Sequence, residues 1–260
     1  LVLAVFIDGY GWERIQELPL MPDILTVTRP LKTVFGYSSA CDPTILTGVL
    51  PREHDHFSFY VYDPENSPFQ WFDRLRHLPS AVTNRARVRH WLSRAAKTVN
   101  GFTAYFELYN VPFNRLPDLD YTERRDIYQH GGIRGGQPTV FDTLRDLGTP
   151  FHVSDWRRSE DENLASLQDA VQGGSVRLAW LFLGGLDGVL HMNGNHHPAV
   201  GHKIRWYEDR LRPIIEQARR AYDEVRIHVF SDHGMADVTQ TVDVMGAIER
   251  TGLAWGRDYA

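Results

Sequence analysis

Leu1-Val2-Leu3-Ala4-Val5-Phe6-Ile7-Asp8-Gly9 is an unbroken apolar run that stops at a carboxylate and a glycine. A strand that is apolar at every position has both faces covered, as strands of a parallel sheet between helices do. The run therefore predicts a buried parallel strand whose carboxyl end delivers Asp8 to a site. Two later stretches repeat the design: Arg177 to Leu183 leads into Gly184-Gly185-Leu186-Asp187, and Val225 to Phe230 leads into Ser231-Asp232-His233-Gly234. Each of the three predicted strands ends in a carboxylate.

Helical stretches lie between them: Thr139 to Leu147 stopped by Gly148, Glu160 to Val171 stopped by Gly173-Gly174, and Ala199 to Tyr222 with a kink expected at Pro213. The alternation predicts an α/β fold, a doubly wound and mostly parallel sheet with helices on both faces. From Asn66 to Gly136 the rhythm breaks into a stretch rich in aromatics, Pro and Arg, with Trp71, Phe72, Trp91, Tyr105, Phe106, Tyr109 and Phe113. This insertion, residues 66–136, is expected to cap the site. Its aromatics can also form the insertion's own core, and the two readings are compatible.

At 260 residues with 42% hydrophobic content, one α/β domain with an insertion fits better than two equal domains. Gly256-Arg257-Asp258-Tyr259-Ala260 reads as the start of a further element, so the domain is expected to be incomplete at its C-terminus. A net charge of −5 leaves no basic footprint for duplex nucleic acid, although metals could hold a small anionic substrate. The one cysteine, Cys41, forms no internal disulfide, which favours a reducing, cytoplasmic location; with no initiator Met, a removed leader stays open. No apolar run is long enough to span a membrane, and nothing in the sequence indicates oligomeric state.

Asp8 taken alone fits a turn as well as a ligand. The adjacent pair Asp232-His233 is more telling, because a hard oxygen beside an imidazole at a buried strand end suits Zn²⁺ or Mn²⁺. Asp187 and His191, four residues apart, could be aimed at one ion by a short turn, or could be a capping Asp and a surface His. The combination decides between these readings, since all the groups converge on the carboxyl edge of one sheet. The segment Gly36 to Gly48 offers Ser38 and Ser39. A serine hydroxyl needs a base or a metal to become a nucleophile, and a helix start would add free N–H groups to cradle phosphoryl oxygens.

Together these residues resemble the alkaline phosphatase superfamily, most closely its type I phosphodiesterase/nucleotide pyrophosphatase branch. The order is Asp8, Ser38, Thr47-Gly48, Asp187-x-x-x-His191 and Asp232-His233-Gly234-Met235, and the match continues past Gly48 through Pro51, His54 and Tyr62-Asp63-Pro64. The family's nucleophile stands ten residues before that glycine, which selects Ser38 over Ser39. The resemblance implies two divalent ions, most simply Zn²⁺ with Mn²⁺ as the alternative, one held by Asp8, Ser38, Asp232 and His233 and the other by Asp187 and His191. It also implies a small phosphate ester as substrate, hydrolysed through a covalent phospho-serine.

Three departures from the pattern stand out. The family takes a further His for the second ion from beyond Asp-His-Gly-Met, and here only the local His196, His197 and His202 are at hand. Phe59 occupies the position where nucleotide pyrophosphatases place an Asn on a phosphate oxygen, which weakens a nucleotide reading and makes Phe59 the candidate substrate-contacting residue. Pro43 predicts a helix start near Asp42, with Asp42 as cap. The rival functions are a phosphoryl transferase or mutase of the same superfamily and a non-catalytic relic that keeps a metal site.

Overall fold

Val2–Ile7 forms the first strand, β1, buried from Leu3 through Ile7. Along the chain follow helices α1 (Trp12–Glu17), α2 (Ser38–Thr47) and α3 (Pro51–His54), strand β2 (Tyr60–Tyr62), helices α4 (Ser80–Thr83) and α5 (Ala86–Val99), and strand β3 (Leu119–Tyr121). Then come α6 (Val140–Asp146), β4 (Phe151–Val153), α7 (Glu160–Gln172), β5 (Leu178–Leu183), α8 (Gly185–Asn193), α9 (Pro198–Ala221), β6 (Arg226–Phe230) and α10 (Val244–Glu249). The computed structural model describes residues 1–75, 77–78, 80–83, 85–255 and 257–259. Gly256 and Ala260, which bound the stretch expected to begin a further element, lie outside the described residues, as do Arg76, Pro79 and Asn84 of the expected cap.

The chain forms two compact units, Leu1–Leu46 with Val140–Asp237, and Thr47–Thr139 with Val238–Ala260. In the first unit β4, β5, β1 and β6 lie side by side in that order, all parallel. The register runs from Val2 opposite Leu178 to Ile7 opposite Leu183 on one side, and from Val2 opposite Arg226 to Phe6 opposite Phe230 on the other.

Alternate side chains of β1 feed two layers, as the pleat requires. Leu3, Val5 and Ile7 join Ala179, Leu181 and Leu183 in a core completed by Leu164, Leu167 and Val171 of α7 and by Ile204, Tyr207, Leu211 and Ile215 of α9. On the other face Phe6 packs on Phe182 and Phe230 with ring centroids 5.3 and 5.7 Å apart, and Trp180 meets Phe141 of α6 edge-on at 5.4 Å. Helices therefore cover both faces, as the apolar runs predicted. Each such side chain stabilises the fold by roughly 1.5–3 kcal/mol when fully buried, which is why β1 carries no polar residue before Asp8.

The helices begin where their sequences allow. Ser159 and Glu162 form a reciprocal capping box at the start of α7. Pro213 lies inside α9 without ending it. Two local expectations are corrected. Asp187 and His191 ride on a helix, α8, rather than a short turn. α2 starts at Ser38, not near Asp42, and holds Pro43 in its interior. Pro43 removes the N–H that would reach Ser39, and Ser39, Ala40, Cys41, Pro43 and Leu46 are buried along this helix.

In the second unit β2 and β3 pair antiparallel, Tyr60 opposite Tyr121. Phe69, Phe72, Phe102, Phe106, Phe113 and Tyr121 form this unit's core. Phe72, Phe106 and Phe113 are thus core residues of the aromatic-rich stretch itself, whereas Trp91, Tyr105 and Tyr109 are exposed. Among the described residues no helix is long and apolar enough to cross a membrane.

Candidate metal centre

The ladder between β1 and β5 continues one residue past the strand, since Asp8 N–H donates to Leu183 O at 3.0 Å. That bond fixes Asp8 at the carboxyl edge of the sheet, where β6 also delivers Asp232 and His233. Ser38, heading α2, completes the group. His233 Nε2 lies 3.1 Å from Asp232 Oδ2, 3.3 Å from Ser38 Oγ and 3.6 Å from Asp8 Oδ1. Sequence reasoning named all four residues, and the first unit brings them together.

These residues fit a cation. His233 Nδ1 lies 3.0 Å from Gly234 O, which can only accept; with Nδ1 as the donor, the neutral ring would present the Nε2 lone pair to three oxygens. Asp8 Oδ1 and Asp232 Oδ2 are buried without a hydrogen-bond partner among the described residues. Burial, followed by the charges of Asp232 and Asp187, pushes the Asp8 carboxyl up to about 8. Two carboxyl groups and an imidazole nitrogen meet at one partly buried point, where burial disfavours the charged carboxylates and one divalent ion would stabilise them.

Two glycines allow the strand ends to close on one another. A Cβ on Gly11 would stand 2.3 Å from Gly234 Cα, so the loops after β1 and β6 touch backbone to backbone. Gly9, at φ +75°, brings the turn after β1 against Asp187, whose Cα would lie 3.3 Å from an added Cβ. Sequence reasoning missed Thr33 and Ser231, which hold the loop after β6: Thr33 Oγ1 donates to Asp232 O at 2.8 Å and Ser231 Oγ to His233 O at 2.9 Å. Thr33 sits 199 residues from its partner, too remote for any local pattern to reveal.

Asp187 and His191 stack one turn apart on α8, His191 Nε2 3.5 Å from Asp187 Oδ1. Among the described residues the one group of three or more metal-type donors is Asp8, Asp232 and His233, so Asp187 and His191 remain a pair. None of the three local histidines completes it in such a group. His196 faces Asp237 at 3.7 Å, His197 accepts the Ala199 N–H to cap α9, and His202 is exposed. Phe59 belongs to the second unit, where its ring stacks on Tyr109 and Tyr121 at 6.0 and 5.8 Å.

The family described as type I phosphodiesterase / nucleotide pyrophosphatase matches residues 2–255. No curated protein matches the chain. Among solved structures, murine ectonucleotide pyrophosphatase/phosphodiesterase 5 is similar over 90% of this chain and 57% of its own, with TM-score 0.54 and 16% identity. The human protein of the same name gives TM-score 0.56 and 15% identity over 90% of this chain and 56% of that one. An inactive variant of the murine protein, solved in complex with AMP, matches with TM-score 0.54 and 16% identity, covering 90% of this chain and 56% of its own. The chain thus spans a little over half the length of these structures, and the likeness is one of fold.

Proposed function

The chain belongs to the type I phosphodiesterase / nucleotide pyrophosphatase family, of the alkaline phosphatase superfamily, and from that membership we propose that it is a metal-dependent hydrolase of phosphodiester or pyrophosphate substrates with Ser38 as nucleophile. The observation that carries the proposal is the convergence of Ser38, Asp8 and Asp232 on His233 Nε2. Asp8, Ser38, Asp232 and His233 would hold one divalent ion and Asp187 and His191 the other, with Zn²⁺ the best match to this mix of imidazole and carboxylate and Mn²⁺ next. When bound, such ions polarise phosphoryl oxygens and lower the pKa of a hydroxyl or a water.

The chain's own residues supply position. Ser38 and Ser39 head α2, and their N–H groups have no backbone partner among the described residues, so they are free to take phosphoryl oxygens at the positive end of the helix. Ser38 Oγ would attack phosphorus in line, its bond to phosphorus forming as the bond to the leaving oxygen breaks. Water would then cleave the phospho-serine and restore Ser38. The AMP complex of the murine variant makes a nucleotide ester the first substrate class to test.

The test is hydrolysis of a matched chromogenic monoester and diester by the Zn²⁺-loaded full-length protein, beside Ser38→Ala and a chelator-treated sample. Preference for the diester, lost in both controls, supports the proposal. Activity that survives Ser38→Ala overturns the nucleophile assignment.

A further inference from the structure

The start of α8, which carries Asp187 and His191, is held by a residue from another helix. A helix begins with N–H groups that have no partner inside it, and the usual partner is the side chain of the capping residue. The residue before α8 is Gly184, which has none. Glu160, from the start of α7, serves instead. Its Oε1 accepts the Gly185 N–H at 2.9 Å and the Tyr207 hydroxyl at 2.8 Å, and the Tyr207 oxygen accepts the Leu186 N–H at 3.0 Å. Its Oε2 is ion-paired with Lys203, whose Nζ stands 4.1 Å from the centre of the Trp206 ring. Both carboxylate oxygens are committed, and the Glu160 side chain is only 18% exposed.

A Cβ on residue 185 would lie 2.6 Å from Glu160 Oε2, so the close approach depends on a glycine there. Asp187 Oδ1, one residue past this clamp, is buried with no hydrogen-bond partner among the described residues. Beyond His191, 3.5 Å away one turn along the same helix, the position of this oxygen depends on the backbone that bears it.

We propose that Glu160, through Gly185 and the Tyr207 hydroxyl, is the positioning residue for the Asp187–His191 half of the site, with Lys203 holding its carboxylate in place. The inference rests on the reading that Asp187 and His191 bind the second cation. Glu160 touches no reacting atom in this role. It sets the direction in which α8 leaves β5, and so the point at which Asp187 can meet an ion held by its neighbours.

The test compares the full-length protein with Glu160→Ala, Glu160→Gln, Lys203→Met and Asp187→Asn. Zn²⁺ alone is titrated by calorimetry with metal analysis, and amide exchange is followed at residues 185–186 in the metal-free state. Parent protein should bind two Zn²⁺, and Asp187→Asn one. Glu160→Ala should keep the first site at parent affinity and weaken the second by on the order of tenfold or more, in the range expected for an orienting partner of a metal ligand. It should also speed exchange at residues 185–186. Glu160→Gln, which keeps an acceptor oxygen, should recover most of the affinity, and Lys203→Met should fall between the two. If Glu160→Ala does not fold, Glu160→Gln and Lys203→Met carry the same comparison.

Unchanged second-site affinity and unchanged exchange in every folded variant would overturn the proposal. Equal weakening of both Zn²⁺ sites, or a lowered melting temperature with both sites intact, would reduce Glu160 to a general structural staple and overturn it as well. Two ions retained by Asp187→Asn would remove the metal reading itself, a failure told apart by the exchange data, which report on the clamp alone.

Discussion

His233 Nε2 stands 3.3 Å from Ser38 Oγ although 195 residues separate them in the chain. The two are therefore expected to fail together in activity and separately in metal binding. Ser38→Ala should lower kcat by on the order of a thousandfold or more, as loss of an attacking serine does, while metal analysis still finds the ion bound by Asp8, Asp232 and His233. His233→Ala should lower kcat and also remove one ion per chain. Parent-like metal content in His233→Ala would argue against its role as a ligand.

Contact between the backbones at Gly11 and Gly234 gives a second expectation. Gly11→Ala puts a methyl where 2.3 Å of space remains and should destabilise the protein by about 1–3 kcal/mol, in line with overpacking elsewhere, with activity lost at temperatures where the chain is still folded. Gly188→Ala is the contrast. An added Cβ there meets nothing within 4 Å, and replacing a glycine inside α8 should stabilise by about 0.5–1 kcal/mol. Chemical denaturation of both variants checks the pair.

Glu123 supplies a pH dependence. Burial, and after it the charge of Asp126, pushes its carboxyl up to about 8 from an ordinary 4.5. The folded state then holds a proton that the unfolded state releases, so this group's stabilising contribution is full below pH 4.5 and is lost as pH rises through about 8. The slope between those limits approaches 1.4 kcal/mol per pH unit, roughly the energy of one unit of pKa. Glu123→Gln should flatten it and leave the variant more stable than the parent at pH 8. Melting curves of parent and variant from pH 4 to 8 read the difference, and parallel curves would reject it.

Tyr105 and Tyr109, 41% and 43% exposed, are the places to test whether the aromatic-rich stretch selects substrates. We expect Tyr109→Ala to change relative rates among esters with different leaving groups while the melting temperature holds. An equal loss for all of them would argue against a role in selection. Phe106 is a poor probe because it is buried in the core of its unit, where truncation costs about 3–5 kcal/mol.

What the sequence revealed and what it hid follow the range of the interactions. Leu3 to Ile7 announce a buried parallel strand because burial on both faces leaves an uninterrupted apolar record, and the carboxylates at the ends of such strands stand out against it. Pro43 is a local signal for a helix start near Asp42, whereas the helix begins at Ser38 with Ala40, Cys41 and Leu46 buried along it. The three-residue strand β4 left no readable pattern at all. Glu160 and Thr33 were invisible as supports for the site, since each acts through a hydrogen bond to a segment far along the chain.

The sheet order has a consequence for how the protein comes to exist. β1 precedes β5 and β6 in the chain yet lies between them, and its pairings with them start at Leu178 and Arg226. At roughly 5–20 residues per second, a ribosome leaves β1 without either neighbour for on the order of ten seconds or more. Throughout that interval Leu3, Val5, Phe6 and Ile7 have no native cover on the sheet edges, and Asp8 has no Asp232 or His233 to join. The cluster of Asp8, Asp232 and His233 therefore cannot form until β6 has been made and has paired with β1.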